Sequence, residues 1–359
     1  MLLKDAYELE MGMILAQDVL NQSDTVVLTS GTELTDVMIL NLQNMNIDFI
    51  FVEDLIDEPE IVSSIVKEPK IKARVQELYR REKFDMAVQF YKEMYLSVRK
   101  GQLISHSAVF DVVKELVKEF YQYDDIFSVL KKLKSNEDYE FTHSTSTCII
   151  SILLGKWLKL EHQKLYTLAE AAYLADIGKS RLPMDLLTKS GKLSEDEHVQ
   201  LKNHVALTQE ILEYSGGFAG DVIHIAATHH ERLNGSGYPY RMEKDGITQL
   251  SRIVAVADTY HALLSQRPYR DAYSICEATE MLWNMSYNEL DPAVTERLVK
   301  FITSFWVGGK VILSNGATGE VIMANQYDRF RPLVKVEDNF IDLSQDRSYK
   351  IVGIVNTVM

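Results

Sequence analysis

The sequence predicts a mainly α-helical protein with a small α/β module at its N-terminus and a small β appendage at its C-terminus. Three observations predict this class. The central part of the 359-residue chain has apolar residues at helical spacing in several consecutive stretches. The first 65 residues mix strand-like and helix-like runs. The residues from 306 onward contain short β-rich runs separated by turn signals.

Composition and charge narrow the functions that the chain can have. Apolar residues make up 46% and charged residues 25%, as in a soluble protein with a buried core. The formal net charge of -14 argues against duplex nucleic acid, which needs a basic face, but leaves room for a small anionic ligand. The sequence predicts a cytoplasmic protein outside the membrane. It has two isolated cysteines and no signal-peptide pattern, and every apolar run is too short to span a bilayer.

The first two segments carry no catalytic pattern. Residues 1–65 are predicted to form the α/β module, from three strand-like runs and one helix-like run: Met13–Leu20, Thr25–Leu28, Asp48–Val52 and Leu34–Met45. Residues 66–135 alternate Lys and Glu with large apolar residues, which is typical of connecting helices with solvated faces.

Residues 136–305 are predicted to form consecutive helices, and five of these place a histidine or an aspartate on an apolar face. These residues are His143, Asp176, His204, the adjacent pair His229 and His230, and Asp258. One such residue is more often structural than functional. Five together indicate a site, because unpaired buried polar groups are too costly to accumulate. Imidazoles and carboxylates without a thiolate suit Mn, Fe or Zn ions in hydrolytic chemistry.

The local patterns around these residues predict where each helix begins and ends. Asp176 continues an apolar stripe and is followed by Gly178, a predicted helix terminator. Ser194 and Glu197 form the capping-box pattern that begins the helix of His204. His229 and His230 are successive, so their side chains diverge by about 100° within a helix and can share a metal only at its end.

Residues 306–359 are predicted to form the β appendage. Asn315-Gly316, a strong hairpin signal, lies between two strand-like runs, and two further runs follow it. The four runs are Lys310–Leu313, Glu320–Met323, Leu333–Val336 and Lys350–Val355.

Five runs in residues 136–305, about half of the chain, resemble the HD-GYP family. They are Leu174–Lys179, Lys202–His204, His229–Pro239, Arg252–Asp258 and Arg267–Arg270. The resemblance implies an HD-type helical bundle that hydrolyses cyclic di-GMP to pGpG or GMP with divalent metal. Here one or two ions are expected, with Fe or Mn favoured and Zn compatible.

The resemblance also implies a role for each residue. Asp176 would bridge the metals, with His204, His229 and His230 completing one site and His143 and Asp258 belonging to the other. Lys179 would hold a phosphate oxygen or a bridging water beside Asp176. The expected contacts to the dinucleotide are Gly237, Tyr238, Arg267 and Arg270.

Three positions depart from the family pattern. The histidine of the HD pair is Ala175, which has no donor atom, so the pair is degenerate. The glutamate that supplies a third metal in some members is Tyr139, although Glu140 is its neighbour. The aspartate three residues after Asp258 is His261, either a substitute ligand or, as we favour, a packing or hydrogen-bonding residue.

Three functions therefore stay open on the sequence. The first is an active cyclic di-GMP phosphodiesterase, weakened by Ala175. The second is a catalytically inactive module that binds cyclic di-GMP or a related cyclic dinucleotide for signalling, in a homodimer or with a protein partner. The third is a hydrolase of another nucleotide. An intact GYP run favours nucleotide recognition in each case, whereas Ala175 favours the second.

Overall fold

The computed structural model describes parts of residues 1–52 and most of the chain beyond them, in the ranges 69–122, 139–189, 191–266, 272–304, 306–325 and 327–355. The chain divides into two compact units, residues 1–81 and 82–359. The division into four domains at residues 65, 135 and 305 stays a prediction.

The N-terminal unit contains two antiparallel strand pairs. Strand β1 (Leu2–Asp5) pairs with β4 (Phe49–Val52), and β2 (Val19–Leu20) pairs with β3 (Val26–Leu28). The predicted run Met13–Leu20 is a regular strand only at its end, with single bridges at Ile14 and Leu15. The small hydrophobic core of this unit contains Leu9, Leu15, Val19, Leu34, Ile39, Leu42, Ile50 and Val52.

The rest of the fold is mainly helical, as predicted. Its helices are α1 (Pro69–Arg99), α2 (His106–Tyr121), α3 (Tyr139–Trp157), α4 (His162–Leu174), α5 (Met184–Leu187), α6 (Glu195–Lys202), α7 (His204–Ser215), α8 (Gly220–Thr228), α9 (Gln249–Leu264), α10 (Ile275–Met285) and α11 (Pro292–Ser304). Two 3₁₀ turns, Ile177–Arg181 and Lys244–Gly246, join them. None of the helices in the described part of the chain is both long and apolar enough to cross a bilayer.

Helix α3 forms the centre of the helical unit. It is buried on all sides because it packs against α2, α4, α9 and α11, as expected of a helix without a polar face. Three of its hydroxyl side chains donate to backbone carbonyls of the same helix: Thr142 to Tyr139, Ser144 to Glu140 and Thr145 to Phe141. His143 therefore lies inside the bundle, at the first turns of its central helix.

Two local predictions around the aspartate and histidine helices were wrong. Helix α4 ends at Leu174, and Gly178 lies within a 3₁₀ turn rather than ending a helix. A Cβ on Gly178 would lie 2.0 Å from the His204 carbonyl oxygen, so the glycine permits close backbone packing. The capping box of Ser194 and Glu197 is confirmed, but its helix ends at Lys202, and His204 begins a new helix after a break at Asn203.

The C-terminal strands form one antiparallel sheet in the order β8-β7-β6-β5-β9. Their bounds are β5 (Lys310–Leu313), β6 (Thr318–Met323), β7 (Leu333–Val336), β8 (Asn339–Asp342) and β9 (Ile351–Val355). The Asn315-Gly316 turn between β5 and β6 is confirmed, with Gly316 at a φ of 85°. Strand β8 escaped prediction because its turn places Glu337, not glycine, at positive φ. The sheet shares its core with Cys276 of α10.

Candidate metal centre

The structure brings five of the predicted side chains together around the carboxylate of a sixth, Asp176. Two groups of possible metal donors share this residue, and within each group the donor atoms lie within 4.8 Å of one another. The first group is Asp176, His204, His229 and His230, and the second is His143, Asp176 and Asp258. Asp176 is 4% exposed, so its carboxylate is buried. One carboxylate therefore faces two sites.

In the first group, backbone carbonyls fix which nitrogen two of the three imidazoles present. His204 Nδ1 donates to the Leu201 carbonyl and His229 Nδ1 donates to the Ala226 carbonyl, each at 2.7 Å. The lone pair of Nε2 in both rings is therefore directed toward Asp176 Oδ1, at 3.1 and 3.9 Å. Such second partners are how proteins orient metal-binding histidines.

The side chains of His229 and His230 both reach the cluster because helix α8 ends just before them. Helix α8 ends at Thr228, His229 is its C-cap, and His230 follows in the loop. The two rings lie 3.9 Å apart between centroids. His230 also stacks on Tyr238, at 4.7 Å between ring centroids.

In the second group, His143 joins the two carboxylates. Its Nε2 lies 2.8 Å from Asp258 Oδ1 and 3.4 Å from Asp176 Oδ2. On its other side, Nδ1 lies 2.7 Å from Nδ1 of His261. His261 is fully buried and belongs to neither donor group. It contacts the ligand candidate His143, and its role stays a prediction.

The departures Ala175 and Tyr139 leave the second group with three donors. Ala175 is buried and offers only its carbonyl, which accepts from Thr208 Oγ1. Tyr139 lies against His143, at 5.3 Å between rings. Glu140 instead pairs with Lys179, at 3.4 Å.

The charges of the cluster are set by burial and by neighbouring groups. Burial alone would raise the pKa of Asp176, but its charged surroundings, first among them the ammonium group of Lys179, hold this pKa well below its usual range. Burial alone would lower the pKa of Lys179, whose Nζ is 2.8 Å from Asp176 Oδ2, but Asp176 and Glu140 raise it overall. Burial lowers the pKa of His229 to about 4, so its imidazole is neutral at pH 7.

The donor set fits a divalent cation. Asp176 Oδ1, His204 Nε2 and His229 Nε2 are buried and have no hydrogen-bond partner among the described residues. Buried polar atoms in such a state are costly unless they bind something. Neutral imidazoles and ionised carboxylates are donors for Fe, Mn and Zn. The residues therefore fit the ion that the sequence implied.

The loop after α8 carries two residues that sequence reasoning missed. The buried carboxylate of Glu231 accepts from the backbone N–H groups of Tyr240 and Met242, and Arg232 donates to Thr259 Oγ1 of α9. A Cβ on Gly237 would lie 2.4 Å from the Arg232 nitrogen, so this glycine packs against the loop's own backbone. Arg267 and Arg270 lie outside the described residues.

The chain is similar to a known protein family and to several known proteins. Residues 129–294 match the family model of the HD domain. The chain is 31% identical to a cyclic di-GMP phosphodiesterase of Pseudomonas aeruginosa over 68% of this chain and 58% of that protein. It is 38% identical to a cyclic di-GMP phosphodiesterase response regulator of Xanthomonas campestris over 41% of this chain and 39% of that protein.

A third relative differs in its named substrate. A 3'3'-cGAMP-specific phosphodiesterase of Vibrio cholerae is 32% identical over 47% of this chain and 37% of that protein. The chain thus spans less than two thirds of the length of each of these three relatives.

Proposed function

Since the chain contains an HD domain of the HD-GYP family, we propose that it is a metal-dependent phosphodiesterase that hydrolyses cyclic di-GMP, or a related cyclic dinucleotide, to linear products. The observation that carries the proposal is the carboxylate of Asp176 shared by two donor groups. We assign His204, His229 and His230 to one ion, and His143 and Asp258 to the other. Divalent ions, with Fe or Mn favoured, supply the Lewis acidity that polarises a phosphodiester and activates water.

Residues of the chain position the substrate beside this centre. The ammonium group of Lys179 lies against Asp176 and is only 13% exposed, so it can bind a non-bridging phosphate oxygen with little competition from water. The ring of Tyr238, stacked on His230, forms a flat wall for a base or ribose. Gly237, Arg267 and Arg270 stay predicted contacts to the dinucleotide.

A second candidate function follows from Ala175. With three donors, the second group holds its ion less firmly than a group of four, while the first group keeps all its donors. A module that binds a cyclic dinucleotide without hydrolysing it is consistent with this asymmetry. We further propose a cytoplasmic location, because both cysteines are unpaired and buried, as in proteins of reducing compartments.

The test is anaerobic incubation of the full chain with Fe(II) or Mn(II) and either cyclic di-GMP or 3'3'-cGAMP, with the products separated by chromatography. We expect linear products from the wild type and none from Asp176→Asn, because the substitution removes the charge shared by both donor groups. Asp185→Asn, on the exposed surface of α5, is the matched control and should retain activity. Dinucleotide retained but uncut indicates the binding module, and dinucleotide neither cut nor bound rejects the ligand class.

A further inference from the structure

A cavity of about 630 Å³ lies between the last turn of α6 and the loop that follows His230. This volume is in the range of nucleotide-sized ligand pockets. Its lining residues come from the two segments: Val199, Gln200, Lys202, Asn203, Gly235, Ser236, Gly237, Tyr238, Pro239 and Arg241.

The charge of this cavity is opposite to that of the chain. The formal net charge is -14, yet the lining residues include Lys202 and Arg241 and no carboxylate. Neither cation has an ion-pair partner among the described residues. Two cations that line one pocket and have no ion-pair partner can bind a phosphate.

Tyr238 is a wall common to the cavity and the metal centre. Lys202 Nζ lies 5.2 Å from the centroid of the Tyr238 ring, and His230 stacks on this ring at 4.7 Å. The Tyr238 ring therefore contacts both a predicted metal ligand and a cation of the cavity.

The backbone holds Arg241 in an unusual conformation. Arg241 has a φ of 55°, a region that residues with a Cβ rarely adopt. The residues on either side, Tyr240 and Met242, both donate their N–H groups to the buried carboxylate of Glu231, at 2.7 and 2.9 Å. This clamp keeps the arginine at the cavity wall, and strained positions that their surroundings enforce are concentrated at binding sites.

We propose that this cavity binds the second phosphate of a cyclic dinucleotide while the first lies at the metal centre, with Lys202 and Arg241 as its phosphate-binding residues. The inference rests on the proposed function. A cyclic dinucleotide has two phosphodiesters on opposite sides of its ring, so cleavage at one leaves the other charge to be neutralised. The cavity would thus favour dinucleotides over mononucleotides.

The test is calorimetric titration of the metal-loaded full chain with a phosphorothioate analogue of cyclic di-GMP that resists hydrolysis. We expect Lys202→Met and Arg241→Asn each to weaken binding by about tenfold, since each removes a charged contact to phosphate. Asn tolerates positive φ, so Arg241→Asn keeps the loop conformation. Lys192→Met, an exposed lysine outside the cavity, is the matched control, and metal content and melting temperature check that each variant is folded.

Each outcome decides the question. Weaker binding in the two cavity variants but not in the control, at unchanged metal content, supports the proposal. Binding within about twofold of the wild type in both cavity variants overturns the second phosphate site and leaves the proposed function standing. Failure of the wild type to bind the analogue rejects cyclic di-GMP as the ligand and this proposal with it.

Discussion

At the scale of single residues, the site depends on which atom each side chain presents as much as on which residues are present. Backbone carbonyls hold the Nδ1 protons of His204 and His229, which leaves Nε2 of both rings facing Asp176. The sequence predicted the residue types, because their apolar neighbours placed them on buried faces. It could not predict their tautomers, since the carbonyl partners are set by where α6 and α8 end.

The buried position of Ala175 leads to a prediction about metal binding. Ala175 lies directly before Asp176 and is 4% exposed, beside the group that has three donors. We expect Ala175→His to add a fourth donor and to raise the metal content per chain by up to one equivalent, measured by mass spectrometry after desalting. Ala175→Leu adds similar bulk without a donor and should not raise it. Equal metal content in the histidine variant and the wild type would refute this account of the second donor group.

At the scale of elements, α2 and α4 meet at a buried carboxylate outside the metal centre. Glu170 of α4 is 5% exposed and its Oε1 lies 3.1 Å from Nε2 of His106 on α2. Burial raises the pKa of Glu170 from 4.5 to about 7. Between pH 4.5 and about 7, the Glu170 carboxyl therefore keeps its proton in the folded protein but has lost it in the unfolded chain. The free energy of unfolding consequently falls as the pH rises through this window.

The predicted size of this effect follows from the shift in pKa. It corresponds to about 3 kcal/mol of unfolding free energy lost between pH 4.5 and 7, at about 1.4 kcal/mol per unit. We expect Glu170→Gln to remove this pH dependence and to raise the melting temperature at pH 8, measured by thermal denaturation of the chelator-treated protein. Glu280→Gln, an exposed carboxyl on α10, should keep the wild-type pH profile. A wild-type profile in Glu170→Gln would show that this carboxyl stays ionised.

At the scale of the whole molecule, local sequence patterns predicted the fold class. They did not predict features that depend on contacts between distant parts of the chain. Asn315-Gly316 marked its turn correctly because the signal is local. The helix break at Asn203 and the close packing at Gly178 depend on the contact between the 3₁₀ turn and α7, which no local pattern contains. Glu231 was missed for the same reason, because its role comes from backbone groups of the folded loop.

The central claim is that Asp176 organises a divalent metal centre, and the most direct measurement is the metal content of the full chain purified without oxygen. We predict at least one equivalent of Fe or Mn per chain after incubation and desalting, and loss of most of it in Asp176→Asn, while Asp185→Asn matches the wild type. A wild type without bound metal, or an Asp176→Asn variant with the wild-type content, would contradict the claim.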